Sequence, residues 1–413
     1  MRKLTLDTSE DPLTLDIIQV LQLRTGGDPW LPRLETFECR EATDGFIFLI
    51  PLLLSPKTTE VRIGFAQDAP NVAVGSMIAG LSTRCPDLEL ITLHTLPRGL
   101  VIAEAVSELL FACNQDVLRK FHVESPLTEE ARGVVYRLPN LSDLRTVIQG
   151  PTSLPTVALP NLTAIDVEHD DLNWLQGFDG ATLARLEAVT FRSESEIIGD
   201  FLGAFERVAL TTSAQNTLSQ FRYYTPYRWD PNYSSLHSFN QLKEVEIEFY
   251  CGGGCSSRVD DDIIVNLARA MPKLETLRLG GPPCATPTGI TVNGFVGLAR
   301  LCPHLSKLRV HFQATSLVEA ATGVTALPPS ESEPAVRQED CALTILEVGQ
   351  TPFPAGSGLA VAHILLQNFP RILDVEENHY FDRGWGTVAE IIKDFRRIGT
   401  FVHRTGKAQP TRI

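Results

Sequence analysis

The sequence predicts an α/β solenoid, with one short strand and one helix repeating along the chain. Three observations predict it: a recurrent proline leader, an L-x-x-L-x-L stretch after each leader, and helical periodicity in the intervals. The leader is an apolar residue, proline, a polar residue and leucine. Six copies stand out, at Leu31–Leu34, Cys85–Leu88, Leu138–Leu141, Leu159–Leu162, Met271–Leu274 and Cys302–Leu305. Each closing leucine opens a triplet, for example Leu34/Phe37/Cys39, Leu88/Ile91/Leu93, Leu162/Ile165/Val167, Leu274/Leu277/Leu279 and Leu305/Leu308/Val310. In Leu141/Leu144/Thr146 the threonine is the weak position.

Copies without proline fill the gaps, opening at Leu118, Leu186, Leu218, Leu242 and Leu343, with a poorer one at Thr58/Val61/Ile63. At 43% apolar residues such a triplet arises by chance about 8% of the time, so leader and spacing carry the argument. The openings fall at 34, 58, 88, 118, 141, 162, 186, 218, 242, 274, 305 and 343, an average interval of about 28. Leucine-rich repeats, each a strand plus a helix, have periods of about 20 to 29.

Leu4 and Leu6 already read as repeat core, which leaves the first strand edge uncovered, to be hidden by a partner or a lost leading domain. Gly45–Leu54 reads as a buried helix. Asn71–Arg84 and Gly99–Cys113 are helical by period, and Ile197, Ile198, Phe201, Leu202 and Phe205 share one helix face. Asp260–Asp262 suits a helix start before Ile263, Ile264, Leu267 and Ala268. Gly289–Leu301 and Ser357–Phe369 close the series, each proline ending a helix by disfavouring helical geometry in the residue before it. Parallel strands inside and bulkier helices outside predict a horseshoe with a strand-lined concave face.

About thirteen units occupy residues 1–384, with a flexible insert expected over 313–340, rich in Pro, Ser, Thr, Ala and Glu. Trp385, Val388, Ile391, Ile392, Phe395 and Ile398 form the stripe of a capping helix over 385–403, before a polar tail at 404–413. The 413 residues would otherwise suggest two or three domains; the period turns them into one elongated domain.

A net charge of −14 argues against nucleic acid and anionic membranes as partners. Eight unevenly spaced cysteines read as buried thiols of a reducing compartment. The start lacks a secretory apolar run, and Gly45–Leu54 is too short to span a bilayer, so cytoplasm or nucleus is expected. Nucleophile-elbow, phosphate-loop, dinucleotide and zinc-protease motifs are absent, so neither enzyme activity nor a cofactor is expected.

The Cys-Pro-x-Leu-x-x-Leu-x-Leu leaders resemble the leucine-rich arrays of F-box proteins. Leu21–Leu34, Leu305–Phe312 with Val318–Gly323, and Phe395–Gly399 are similar to one branch, the F-box and leucine-rich repeat proteins of mushroom-forming fungi. The resemblance implies a substrate receptor of a cullin ubiquitin ligase, whose F-box binds the Skp1 adaptor while the repeats hold the substrate. No F-box is visible before Leu4, so a Skp1-type adaptor is implied only if one lies upstream. A stand-alone leucine-rich binding or inhibitor protein is the alternative.

Strand alternation turns the third, fifth and seventh residues of each stretch outward. Glu244, Glu246 and Glu248 then neighbour Thr276 and Arg278, followed by Lys307, Arg309 and His311. Earlier strands offer Lys120, His122 and Glu124, then Asp166 and Glu168; later ones offer Glu347, Asp374 and Glu376. Such a face can orient a protein partner, with Arg278, Lys307 and Arg309 meeting an acidic segment, or its charges can pair across strands. Tyr224, Tyr227 and Trp229, within the cluster Tyr223–Tyr233, are candidate rim anchors or packing for a long loop. Cys251 and Cys255 lack a second cysteine pair for structural zinc, and Glu168–Asp171 reads as a solvated loop, so no metal is expected.

Overall fold

The computed structural model describes residues 1–7, 28–149, 159–170, 175, 178, 183–193, 201–226, 233–249, 259–280, 289–312, 314–321, 341–349, 351, 353, 356–377 and 384–405. Among them are fourteen parallel strands whose order is that of the chain. They are β1 (Lys3–Leu6), β2 (Thr36–Ala42), β3 (Glu60–Phe65), β4 (Leu90–His94), β5 (Lys120–Pro126), β6 (Asp143–Ile148), β7 (Ala164–His169), β8 (Ala188–Ser193), β9 (Gln220–Thr225), β10 (Glu244–Phe249), β11 (Thr276–Leu279), β12 (Lys307–Arg309), β13 (Ile345–Gly349) and β14 (Asp374–Glu377). The helices are α1 (Asp44–Ile47), α2 (Ile50–Leu53), α3 (Asn71–Arg84), α4 (Leu100–Ala112), α5 (Glu129–Val135), α6 (Phe201–Thr212), α7 (Asp261–Ala270), α8 (Val292–Leu301), α9 (Ala314–Ala321), α10 (Gly358–Asn368) and α11 (Trp385–Thr405). Two compact units divide the chain: Met1–Ser193 with Arg207–Thr217, holding β1–β8, and Glu194–Glu206 with Leu218–Ile413, holding β9–β14. The predicted α/β leucine-rich solenoid class is what the strand order and helix alternation show.

The proline leaders act as helix stops followed by tight turns. Cys85, Met271, Cys302 and Phe369 end α3, α7, α8 and α10 with φ between −131° and −118° and ψ between 66° and 77°. Each precedes a proline, whose ring excludes helical geometry from the residue before it. The chain then turns: Leu274 N donates to Met271 O at 3.1 Å, Leu305 N to Cys302 O at 3.1 Å and Ile372 N to Phe369 O at 3.0 Å. Proline thus occupies the second turn position, where its fixed φ is already suitable. Phe369–Ile372 is a further leader, hidden from the sequence pattern because isoleucine closes it.

One residue later, a carbonyl accepts twice from the next repeat. Glu89 N and Leu90 N both donate to Thr59 O, at 2.8 and 3.1 Å, and Glu275 N and Thr276 N both donate to Lys243 O, at 2.7 and 2.9 Å. This device locks strand register in each unit before any side chain contributes. Inward strand positions then form the core: Leu118, Phe121, Val123, Leu274 and Leu277 have no exposed surface. Burying such a side chain contributes roughly 1.5–3 kcal/mol. The weak copy survives chemically, since buried Thr58 donates its hydroxyl to Leu34 O at 3.0 Å and accepts from Ser55 N at 3.2 Å.

Several expectations change in detail. Gly45–Leu54 holds two four-residue helices, α1 and α2, because Pro51 starts a new helix at its first turn. Leu4 and Leu6 are half-buried rather than core. Within the insert expected over 313–340, Ala314–Ala321 is helical and buries Ala314, Ser316 and Leu317, while 313 and 322–340 lie outside the described residues. Ile197 and Ile198 also lie outside them.

The C-terminal helix runs from Trp385 to Thr405, two residues beyond its expected end. Trp385, Val388 and Ile392 are fully buried, and Trp385 Nε1 donates to Thr351 O at 2.9 Å. Phe395, placed in the same apolar stripe by its spacing, is 48% exposed. Polar groups close that end instead: Lys393 Nζ meets Asp374 Oδ1 at 3.0 Å, and Arg396 donates to the carbonyls of Ile372 and Pro370.

Candidate interaction face

In the second unit the strand register builds three rows on the face opposite the core. One row contains Gln220, Glu244, Thr276, Lys307, Ile345 and Asp374, and the next Arg222, Glu246, Arg278, Arg309, Glu347 and Glu376. Tyr224 and Glu248 pair in the third. Neighbouring parallel strands lie about 4.8 Å apart, so long side chains in one row reach one another. Glu244, Glu246, Glu248, Arg278, Lys307 and Arg309 therefore do come together.

Glu246 and Glu347 organise this face. Arg278 Nη1 donates to Glu246 Oε1 at 2.8 Å, and its Nη2 to Glu347 Oε1 at 2.7 Å. Lys307 Nζ reaches Glu347 at 2.8 Å, while Arg309 lies 3.6 Å from Glu347, 3.7 Å from Glu246 and against Glu248. Arg222 Nη2 donates to Glu244 at 2.9 Å, and its Nε lies 3.6 Å from Glu246. Tyr224 donates its hydroxyl to Glu246 Oε2 at 2.9 Å.

Burial works against ionisation of Glu246, yet hydrogen bonds from Arg278 and Tyr224 and the charge of Arg309 hold its carboxyl below the ordinary range. For Glu347, burial is likewise outweighed by Lys307, Arg278 and Arg309. Burial also opposes the Arg278 charge, but Glu246 and Glu347 raise its affinity for the proton. Each of the three proposed anchoring cations thus already has a carboxylate partner within the chain.

The remaining candidates are placed differently. His311 is only 4% exposed, with its ring against Gly280, because β12 ends at Arg309 and Phe312 N turns to Thr351 Oγ1 at 3.4 Å. It does not join the outward row. Tyr224 belongs to the open face itself rather than to a rim loop, and Tyr227 and Trp229 lie outside the described residues. Arg222, not among the sequence-predicted site residues, is the fifth residue of the Leu218 stretch, where strand alternation turns it outward.

The first unit carries a second charged network on the same side of its strands. Arg145 bridges Glu124 at 2.7 Å and Asp166 at 3.5 Å, and Arg192 also meets Asp166. His94 Nδ1 lies 3.4 Å from Glu124, whose other oxygen accepts Thr95 N at 2.8 Å. Thr95 has φ 54°, a strained conformation for a β-branched residue, and the carboxylate holds its amide. The His94 contact, followed by Thr95 N and Arg145, lowers the Glu124 carboxyl to about 2 against the effect of burial. His122 pairs with Asp143 at 2.8 Å and Lys120 with Asp143 at 3.9 Å.

Among the described residues no three His, Cys, Asp or Glu side chains are grouped to hold a metal. Glu168 and His169 sit on opposite faces of β7, His169 being 2% exposed. Cys251 and Cys255 lie outside the described residues. Asp260 accepts from Ile263 N at 3.0 Å as a helix cap, and Asp261 accepts from Thr291 N at 2.7 Å, tying the start of α7 to the next repeat. Among the described residues no helix is long and apolar enough to cross a membrane. Neither a protein-family model nor a curated protein matches the chain.

Proposed function

We propose that the chain is a protein-binding scaffold without catalytic activity, which meets its partner through the charged open face of the second unit. One observation carries this reading: consecutive strands β9–β13 hold long, oppositely charged side chains in register and still 12–40% exposed. Such a prepaired array adds little raw affinity, because an incoming charge must displace one already bound. It instead fixes orientation and rejects partners of the wrong pattern. An acidic partner segment at Arg278, Lys307 and Arg309 would compete with Glu246 and Glu347 for those cations.

The finer reading is the substrate-recognition array of an F-box type ubiquitin-ligase receptor. Its support is the resemblance of the proline leaders, together with the strand-helix repeat. Quantitative co-purification of the full-length gene product tests it: stoichiometric Skp1 is expected. A stable complex with another protein and no Skp1 would favour the stand-alone binding protein. Reversing Arg278, Lys307 and Arg309 together should release the captured partner, and unchanged capture by the folded variant would reject this face as the binding surface.

A further inference from the structure

A buried arginine in the first unit, Arg132, has no carboxylate partner among the described residues. Arg132, on α5, is 7% exposed, and Nη1 donates to Gln149 O at 3.1 Å. Among the described residues no carboxylate pairs with it; Glu129 and Glu130 of the same helix are exposed. Its Nε is buried without a hydrogen-bond partner. With Nη1 committed to Gln149, the Nε–Nη2 edge remains open, the edge on which guanidinium takes oxyanions two oxygens at a time.

The next turn adds a second open donor. Tyr136 N donates to Arg132 O at 3.1 Å, which stacks the two residues on one side of the helix end. Its side chain is 1% exposed, its ring meets Phe178 edge-on at 5.9 Å, and its hydroxyl has no partner. Burial pushes the phenol well above its ordinary range, opposed by nearby Arg132, so the group remains a donor at neutral pH.

Arginine cannot shed its proton to escape burial. An unpaired buried charge is strongly unfavourable, and water can satisfy the donors but cannot cancel the charge. We propose that Arg132 and Tyr136 form a binding site for a small oxyanion of the phosphate class. Its oxygens accept from the open guanidinium edge and from the Tyr136 hydroxyl. The surface that Arg132 still shows to solvent gives the ion access.

The test is calorimetric titration and thermal unfolding of the full chain in sodium phosphate, against sodium chloride at equal ionic strength. Saturable phosphate binding and a concentration-dependent rise in Tm are expected for the unaltered protein. Tyr136→Phe preserves packing and removes only an unpartnered hydroxyl. It should fold normally and bind phosphate about tenfold more weakly, and Arg132→Met should not bind. A phosphate response no larger than that of chloride, or equal phosphate affinity in Tyr136→Phe, overturns the site.

Discussion

Arg278 reaches past a neighbouring strand to Glu347, its Nη2 donating to Oε1 at 2.7 Å although Arg309 stands between them in the register. Two guanidinium groups therefore lie side by side, bracketed by Glu246 and Glu347. The like-charged neighbours are tolerated because each carboxylate serves more than one cation.

Glu347→Gln removes the negative charge that Arg278, Lys307 and Arg309 share and replaces one of the two acceptor oxygens by an NH2 donor. The site is only partly open to solvent, so the loss should approach, without reaching, that of a fully buried pair, at about 2 kcal/mol. Glu244→Gln removes a more exposed contact with Arg222 and should change stability by no more than about 0.5 kcal/mol. Urea unfolding measures both, and equal midpoints for the two variants would contradict the organising role of Glu347.

Glu124 predicts the acid behaviour. Its carboxyl is lowered from 4.5 to about 2, so between those values the unfolded chain binds more protons than the folded one. Stability from this group is therefore complete above about pH 4.5 and is lost as pH falls toward 2. Glu246 and Glu347, lowered in the same direction, steepen the loss. Thermal melts from pH 2 to 6 should show this slope, and Glu124→Gln should flatten it. An unchanged slope in that variant would place the linkage elsewhere.

The repeat was legible because Leu274, Leu277 and their equivalents must alternate inward, and because proline must stop each helix. α3 occupies the Asn71–Arg84 span that the periodicity predicts. Cross-strand charge pairing was one of the two readings the outward positions offered, but the partners were not legible, since Arg278 and Glu347 are 69 residues apart and meet only through strand register. His311 misled for a local reason: alternation holds only while the strand lasts, and β12 has three residues. Arg132 gave no signal, because a helical arginine beside two glutamates reads as surface.

Thr58 tests the weakest repeat. Its side chain stands where other repeats place leucine, and it joins Ser55 N and Leu34 O by hydrogen bonds of 3.2 and 3.0 Å. Thr58→Val keeps the volume but strands the buried Ser55 amide. A loss of about 1–2 kcal/mol is expected by denaturant unfolding, and a neutral result would show that the hydroxyl contributes only bulk.

Buried cysteines at the helix ends should be chemically silent. Burial pushes the thiols of Cys85, Cys113 and Cys302 up to about 12, and Cys302 Sγ faces the carbonyls of Ala268 and Met271 at 3.7 and 3.6 Å. At pH 8 only about one such thiol in 10,000 is a thiolate, against roughly one in four to one in ten for an exposed cysteine. Since the thiolate is the nucleophile, native protein should modify these positions at least a hundredfold more slowly than denatured protein. Peptide mapping after a timed disulfide reagent, with and without denaturant, reads each cysteine separately. Rapid labelling of Cys85 or Cys302 in the native state would mean that the proline-stopped helix ends open far more readily than their packing implies.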